Sequence, residues 1–196
     1  TKEDDFVVIS GNQTGVLLLD YLIGAKRRTG KMPEKPVALK TIVTTEMARK
    51  VAEVNGLQCY DTFTGFKFLA EKIKQFEQDG SHEYIFAFEE SYGYLVGTHA
   101  RDKDAIVATM LCVEMASYYA EKGMDLYEAM DALYQKYGYY LNGTVNASFP
   151  GAAGADKMAS IMDGLRKNPP TEIAGYKVVR VEDYLASEST DTATGA

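Results

Sequence analysis

Residues 83–104, EYIFAFEESYGYLVGTHARDKD, hold the densest set of groups able to do chemistry. An apolar run from Tyr84 to Phe88 leads into two adjacent carboxylates, Glu89 and Glu90, and then Ser91. Beyond Gly93 and Gly97 come His99, Arg101, Asp102, Lys103 and Asp104. Two carboxylates and a hydroxyl at a strand's end suit a neutral polyol, because sugar hydroxyls need fixed acceptors and donors. A lone Glu-Glu-Ser triplet reads more simply as a solvated loop after a core strand. The density of polar groups, with a basic cluster just beyond, makes a binding site the stronger reading. A paired-carboxylate glycosidase is the competing chemistry. Adjacent residues of an extended segment point to opposite sides, so Glu89 and Glu90 are not expected to flank one glycosidic bond.

Two further sets of groups matter. Lys67 lies in Thr-Gly-Phe-Lys, at the start of a helical pattern. A cation there, with backbone N–H groups of the first helical turn beside it, suits phosphate. On the residues alone, a solvated helix lysine is the simpler account. His99 can act as acid or base near neutral pH, with Arg101 and Lys103 beside it. The alternative is a charged loop in which Arg101–Asp102 and Lys103–Asp104 pair locally, each pair worth little. Both readings stand for His99 and Lys103; local pairing is preferred for Asp102 and Asp104.

The elements that must position these groups follow from periodicity. Phe6 to Ile9 reads as a short strand, and Ser10 or Asn12 as the cap of a helix over about 13–25. Val37–Val43 reads as a strand, and Thr44 or Thr45 as the cap of a helix over about 46–55. Leu57–Tyr60 is a short strand, residues 65–78 a helix, and residues 84–88 the apolar strand. Strand, helix, strand, helix, strand implies a mostly parallel sheet with right-handed crossovers. Ligands of such sheets sit beyond the carboxyl ends of the strands. Thr44–Thr45, the Thr62–Lys67 turn and Glu89–Ser91 are therefore expected along one edge. Helices over about 103–121 and 125–137 follow, the first with Val107, Met110, Leu111, Met115 and Tyr118 as its apolar set. Tyr139–Val145 can extend as a strand. Phe149–Gly154 reads as a linker, followed by an amphipathic helix, one strand at Tyr176–Val181 and a small, polar, disordered tail at 186–196.

Composition sets limits. At 196 residues and 46% apolar content, the chain can bury an ordinary core. A net charge of −7 argues against a general nucleic-acid binder. It leaves room for an anionic ligand held by a local basic cluster. Cys59 and Cys112 lie in apolar stretches without a Cys-x-x-Cys spacing, which reads as two free thiols in a reducing compartment. No apolar run is long enough for a membrane span, so neither a membrane nor nucleic acid is an expected partner.

The stretch Phe-Glu-Glu-Ser-Tyr-Gly-Tyr-Leu-Val-Gly, followed by Arg-Asp-Lys-Asp-Ala, resembles the sugar-recognition loop of the phosphoglucomutase/phosphomannomutase family, the α-D-phosphohexomutases. GNQTGVLLLDYL at 11–22, TFTGFKF at 62–68, LYQKYGYY at 133–140 and GADKMASIMDGLRKNPPTEIAG at 154–175 agree with it, in the family's order. The resemblance covers most of the chain. It implies an α/β domain whose mostly parallel mixed sheet carries helices on both faces. It implies that Glu89 or Glu90, with Ser91, holds two neighbouring ring hydroxyls of a phosphosugar, Glu90 and Ser91 being the aligned pair. It places Lys67 at the active-site edge, which reverses the simpler reading above. It puts Arg101 and Lys103 near the phosphosugar, with His99 or Lys103 assisting proton transfer. Phe88 stands where better-known members have glycine, and Tyr92 separates Ser91 from Gly93, which suggests a particular branch.

Other family parts have no counterpart among these residues: the phosphoserine loop, the Asp-x-Asp-x-Asp loop that holds Mg2+, and the phosphate-binding loop of the last domain. The resemblance therefore implies a piece of a cytoplasmic mutase. Residues 1–148 would be its sugar-recognising third domain and 149–185 a truncated start of the fourth. The parent would interconvert hexose 1-phosphate and 6-phosphate through a glucose 1,6-bisphosphate-type intermediate. This chain alone would be inactive, its partners being the phosphosugar and the parent's other domains. An exposed apolar patch is expected where those domains dock. A stand-alone phosphosugar-binding module, or a bare scaffold piece, are the other readings.

Overall fold

A computed structural model describes residues 6–143 and 147–194. The chain divides into two compact units, one ending at Asn142 and the other beginning at Gly143. The division falls a few residues before the expected linker.

In the first unit the order is α1 (Gly11–Arg28), β1 (Pro36–Thr41), α2 (Met47–Val54), β2 (Gln58–Thr62), α3 (Phe66–Asp79), β3 (Glu83–Glu89), β4 (Gly93–Leu95), α4 (Ala105–Ala120) and α5 (Leu126–Tyr137). The four strands form one sheet in the order β2-β1-β3-β4. β1 runs parallel to both β2 and β3, and β4 runs antiparallel to β3. The crossover from β1 to β2 and that from β2 back past β1 to β3 travel in opposite directions along the sheet. Right-handed crossovers in opposite directions place their helices on opposite faces. Accordingly α3 covers one face with Phe66, Leu69, Ile73 and Phe76 on Val37, Leu39, Tyr84 and Ala87. α1, α2, α4 and α5 cover the other, over Ala38, Phe86 and Phe88.

α1 is the most buried helix: Leu17, Leu18 and Leu19 are wholly enclosed. Ser10 is its N-cap, in a reciprocal capping box with Gln13. α4 buries Met115 and Tyr119 and leaves Ile106, Met110 and Val113 exposed along one face. Met110, expected in the apolar face that packs inward, thus belongs to an exposed apolar stripe rather than to the core.

In this unit two expected strands are absent and one unexpected strand is present. Residues 6–9 form no strand, and Phe6, Val7 and Val8 stand exposed. None of them pairs with a strand among the described residues, and a strand without a partner leaves its N–H and C=O groups to water. Residues 139–143 are likewise not a strand, and the rest of that expectation falls on residues outside the described ones. Gly93–Leu95, read as part of a loop, is the edge strand β4.

The second unit holds α6 (Ala152–Lys167), a hairpin of β5 (Glu172–Ile173) and β6 (Tyr176–Lys177), and another of β7 (Arg180–Asp183) and β8 (Glu188–Asp191). The single strand expected at 176–181 is divided between two hairpins: Tyr176–Lys177 pairs with Glu172–Ile173 across a turn at Ala174 and Gly175, both at positive φ, while the chain from Arg180 on pairs with Glu188–Asp191. Residues 188–191, expected to be disordered, pair with β7 instead. The apolar stripe of α6, Met158, Ile161, Met162 and Leu165, remains exposed, as expected of a segment too short to close its own core.

Candidate functional site

β3 ends at Glu89, and residues 90–92 turn the chain into β4, where Gly93 pairs with Glu89. Tyr92 closes this turn at φ 63°, a region that non-glycine residues seldom occupy. A Cβ on Gly93 would lie 2.5 Å from Glu89 Oε1, so a larger residue there would force the Glu89 side chain to shift. The Glu89 side chain crosses that space, and the residue is 8% exposed. Lys103 Nζ stands 3.9 Å from Glu89 Oε1 and 5.4 Å from the centre of the Phe66 ring, at the first residue of α3. Glu89 is therefore directed toward α3, beside an ammonium group.

Glu90 turns the other way, as the alternation of an extended segment requires. Its Oε2 accepts from Thr41 Oγ1 at 3.1 Å and from Thr44 Oγ1 at 3.3 Å. The two hydroxyls lie 2.6 Å apart. Two hydroxyl protons serve three contacts, so either both donate to Glu90 or one donates through the other. Under this pair lies Lys40, wholly buried at the end of β1. Its Nζ reaches Glu46 Oε1 at 2.7 Å, Asp61 Oδ1 at 3.0 Å and the Thr44 carbonyl at 3.1 Å. Arg49 bridges the same two carboxylates from outside and donates to the Cys59 carbonyl at 2.8 Å. Burial pushes the Glu46 carboxyl up, but hydrogen bonds and charge from Lys40 and Arg49 outweigh it and hold the group below its ordinary range. Burial pushes the neighbouring Cys59 thiol up to about 12.

The first turn of α1 braces both arms. A Cβ on Gly11 would lie 2.0 Å from the Glu90 carbonyl oxygen and 2.9 Å from Tyr92 N. Asn12 Oδ1 accepts from Thr45 N at 3.0 Å. Tyr94 donates to the Gly11 carbonyl at 2.9 Å, and Tyr92 to that of Ile9 at 3.2 Å. Asn12 thus serves the β1–α2 loop rather than capping its own helix. Thr45 Oγ1 accepts from Met47 N at 3.2 Å, while Glu46 holds the N-cap position of α2 without a side-chain cap bond.

The structure brings Glu89, Glu90 and Lys103 together at the carboxyl ends of β1 and β3, with Ser91 exposed at the turn's tip. Lys67 is exposed in the first turn of α3, its Nζ 4.8 Å from the Phe68 ring centre. That helix begins at Gly65 without a side-chain cap, which leaves first-turn N–H groups open. Arg101 is not brought in. It forms a two-pronged ion pair with Glu77 at 2.7 and 3.1 Å, near the other end of α3, about 16 Å along the helix from Phe66. His99 Nε2 lies 2.8 Å from Asp104 Oδ2. Asp104 caps α4 through the N–H groups of Ile106 and Val107, both at 3.0 Å. Neither expected pair forms: Asp102 pairs with Lys103 instead of Arg101, and Asp104 with His99 instead of Lys103. Lys40, Thr41 and Gly11 did not stand out in the sequence, and Asn12 did so only as a possible cap of its own helix. A lysine inside an otherwise apolar strand was the one available signal.

Among the described residues, no group of three or more His, Cys, Asp or Glu side chains could hold a metal ion. No described helix is long and apolar enough to cross a membrane.

A family model described as phosphoglucomutase/phosphomannomutase, alpha/beta/alpha domain III, matches residues 10–137. Phosphoglucomutases of Staphylococcus aureus strains RF122/ET3-1 and MSSA476 are each 38% identical over 179 residues. The alignments cover 91% of this chain and 31% of those proteins. The chain thus spans about a third of the length of the curated relatives it matches. The crystal structure of Paramecium pp63/parafusin, a phosphoglucomutase in an open form, superposes with a TM-score of 0.57 at 20% identity, covering 95% of this chain and 31% of that one. A putative phosphomannomutase from Thermus thermophilus gives 0.52 at 24% identity, covering 66% and 26%. Both structures share the fold.

Proposed function

The chain belongs to the phosphoglucomutase/phosphomannomutase family, and from that premise we propose that it is the sugar-recognising part of a phosphohexomutase. Residues 1–148 act as the third domain and 149–185 begin the fourth. The parent enzyme interconverts hexose 1-phosphate and 6-phosphate through a bisphosphate. Its phosphoserine and Mg2+ ligands lie outside this chain.

The observation that carries this reading is the divergence of Glu89 and Glu90 at one sheet edge, each held by a different neighbour. Glu90 and Ser91 present an acceptor and a hydroxyl to adjacent equatorial ring hydroxyls. Turning the ring end for end exchanges those hydroxyls, so one contact pair serves both orientations needed for removing phosphate from one end and adding it at the other. Lys67 and the open N–H groups of α3 receive a phosphate. Lys103, beside Glu89, supplies a second cation. Phosphoryl transfer needs a placed nucleophile and charge clamping on the phosphate. These residues supply recognition and part of the clamp, so the chain alone binds without turnover.

Titration with glucose 1,6-bisphosphate, followed by amide NMR, tests this. Saturable shifts at Glu90, Ser91, Lys67 and Lys103 without mutase activity are expected. Shifts confined to other regions, or robust turnover by this chain, would overturn the reading. Shifts with affinity comparable to a full-length mutase would favour a self-sufficient binding module.

A further inference from the structure

α1 carries the chain away from the candidate site, and its last residue lies about 25 Å along the helix from Gly11. There α1, α4 and α5 line a cavity of about 320 Å³, within the range of small-molecule sites. Its charges are one-sided. Arg27 and Arg28 close α1, Lys122 follows α4 and Lys136 stands on α5, against a single described carboxylate, Asp20. This is a cationic spot in a chain of net charge −7. Helix C-termini account for part of it, each offering about half a negative charge. Arg27 is held by Asn55, through Oδ1 at 2.8 Å and the carbonyl at 2.6 Å, and Lys136 by Asp20 at 3.1 Å. Arg28 and Lys122 meet no carboxylate among the described residues. Both lie over the Tyr118 ring, Arg28 Cζ at 4.5 Å and Lys122 Nζ at 4.2 Å from its centre, and Arg28 donates to the Tyr118 hydroxyl at 3.1 Å. Two like charges sharing one ring repel unless an anion joins them. Tyr119 points the same way by a separate route. It lines the cavity and is only 7% exposed, yet its hydroxyl makes no hydrogen bond to a described residue. A buried hydroxyl without a partner is costly. Burial, and then the charge of Asp20, push its phenol up, while Arg28 acts the other way. Asp20 and Arg28 both line the cavity, so the hydroxyl sits on the cavity side and stays a neutral donor.

We propose that this cavity is a second ligand site, which takes the phosphoryl group of a small phosphate ester or of free phosphate between Arg28, Lys122 and Tyr119. Arg28 supplies a planar fork of donors and Lys122 a compact charge; Tyr119 adds a neutral hydroxyl. A phosphoryl group, with close to two negative charges and three acceptor oxygens, answers all three, whereas one carboxylate leaves a cation unmatched. Asp20 does not oppose it, being already paired with Lys136 and the Tyr137 hydroxyl. The volume equals that of roughly ten waters in the liquid, which leaves room for a sugar-sized remainder. The site is separate from the carboxyl edge of the sheet and does not rest on any role assigned there.

The test is an amide NMR titration of this chain with inorganic phosphate and, separately, with glucose 6-phosphate, the ionic strength being held constant with chloride. Saturable shifts are expected at Gly24, Tyr119, Lys122 and Ala132. Arg28→Gln and Lys122→Gln each remove a charged donor and should weaken binding there roughly tenfold. Arg28→Lys keeps the charge without the fork and should lose less. Tyr119→Phe removes a neutral donor and should cost roughly fivefold. Lys72→Gln, the same loss of charge on α3, should leave the affinity within about twofold. Arg28 and Lys122 are exposed, so their variants should fold, and thermal melts check this. Tighter binding of glucose 6-phosphate than of phosphate at these amides assigns the ester as ligand; equal binding assigns phosphate itself. Shifts that never saturate, or that spread over every exposed cation, overturn the site. So does unchanged affinity in Arg28→Gln and Lys122→Gln, or a loss in Lys72→Gln as large as theirs. Shifts at Lys67 and Ser91 report the other edge independently, so failure here leaves that reading in place.

Discussion

Gly11 joins the first turn of α1 to the turn that carries Glu90, and Gly11→Ala probes that joint. The added methyl would sit 2.0 Å from the Glu90 carbonyl oxygen, whereas a carbon–oxygen contact relaxes only near about 3.3 Å. The helix and the recognition turn must separate by about 1.3 Å. Yielding is difficult, because Tyr94 and Tyr92 tie the same two segments together. Overpacking of this kind costs about 1–3 kcal/mol, or roughly 3–12 °C in Tm for a unit of this size. Gly24→Ala, in the same helix, is the control. Its methyl would meet only the tip of the Arg28 side chain, 2.9 Å away. A flexible end can move, so the helix-propensity gain of up to about 1 kcal/mol should appear as a small rise in Tm. Thermal unfolding by circular dichroism, with amide shifts of residues 90–92, reads both variants. A Gly11→Ala chain with unchanged Tm and unchanged shifts in that turn would refute the reasoning. So would equal destabilisation by Gly24→Ala.

Three other outcomes follow from the same contacts. Glu46 is held below its ordinary range when folded, so its contribution is present above the unfolded carboxyl value of about 4.3 and is lost as pH falls through the folded value. The stability difference between the unaltered chain and Glu46→Gln, from urea melts, should therefore shrink between about pH 5 and pH 3; a constant difference would contradict the assignment. Cys59, pushed up to about 12 by burial, should react with a thiol reagent at pH 8 roughly a thousandfold more slowly than an ordinary cysteine, and unfolding with urea should abolish the protection. Asp104→Ala removes the side-chain acceptor for two N–H groups of α4 and frees His99, so hydrogen exchange should quicken at Ile106 and Val107 before it does at Met115.

What the sequence could disclose divides along a physical line. Alternating apolar strands and helical faces report burial, so the order of β1, α2, β2, α3 and β3 was legible, and with it the edge at which Thr44 and Glu90 meet. The carboxylates Glu89 and Glu90 were legible because polar groups at a strand's end are conspicuous. Register was not. Lys40 stands beside Asp61 only because β1 and β2 pair in that alignment, and nothing in either strand alone states the pairing. Arg101 and Lys103 look interchangeable in the sequence, two residues apart. One goes to Glu77 and the other toward Glu89, since the chain turns back after β4 and presents successive side chains to different ends of α3. Residues 6–9 show the opposite failure. Their composition is that of a strand, and a strand is a property of two segments. The same logic applies to Glu90: its carboxylate is written in one residue, while the hydroxyls that meet it, of Thr41 and Thr44, lie at and just beyond the end of a different strand. The candidate site is therefore named by its carboxylates and built by the residues that hold them.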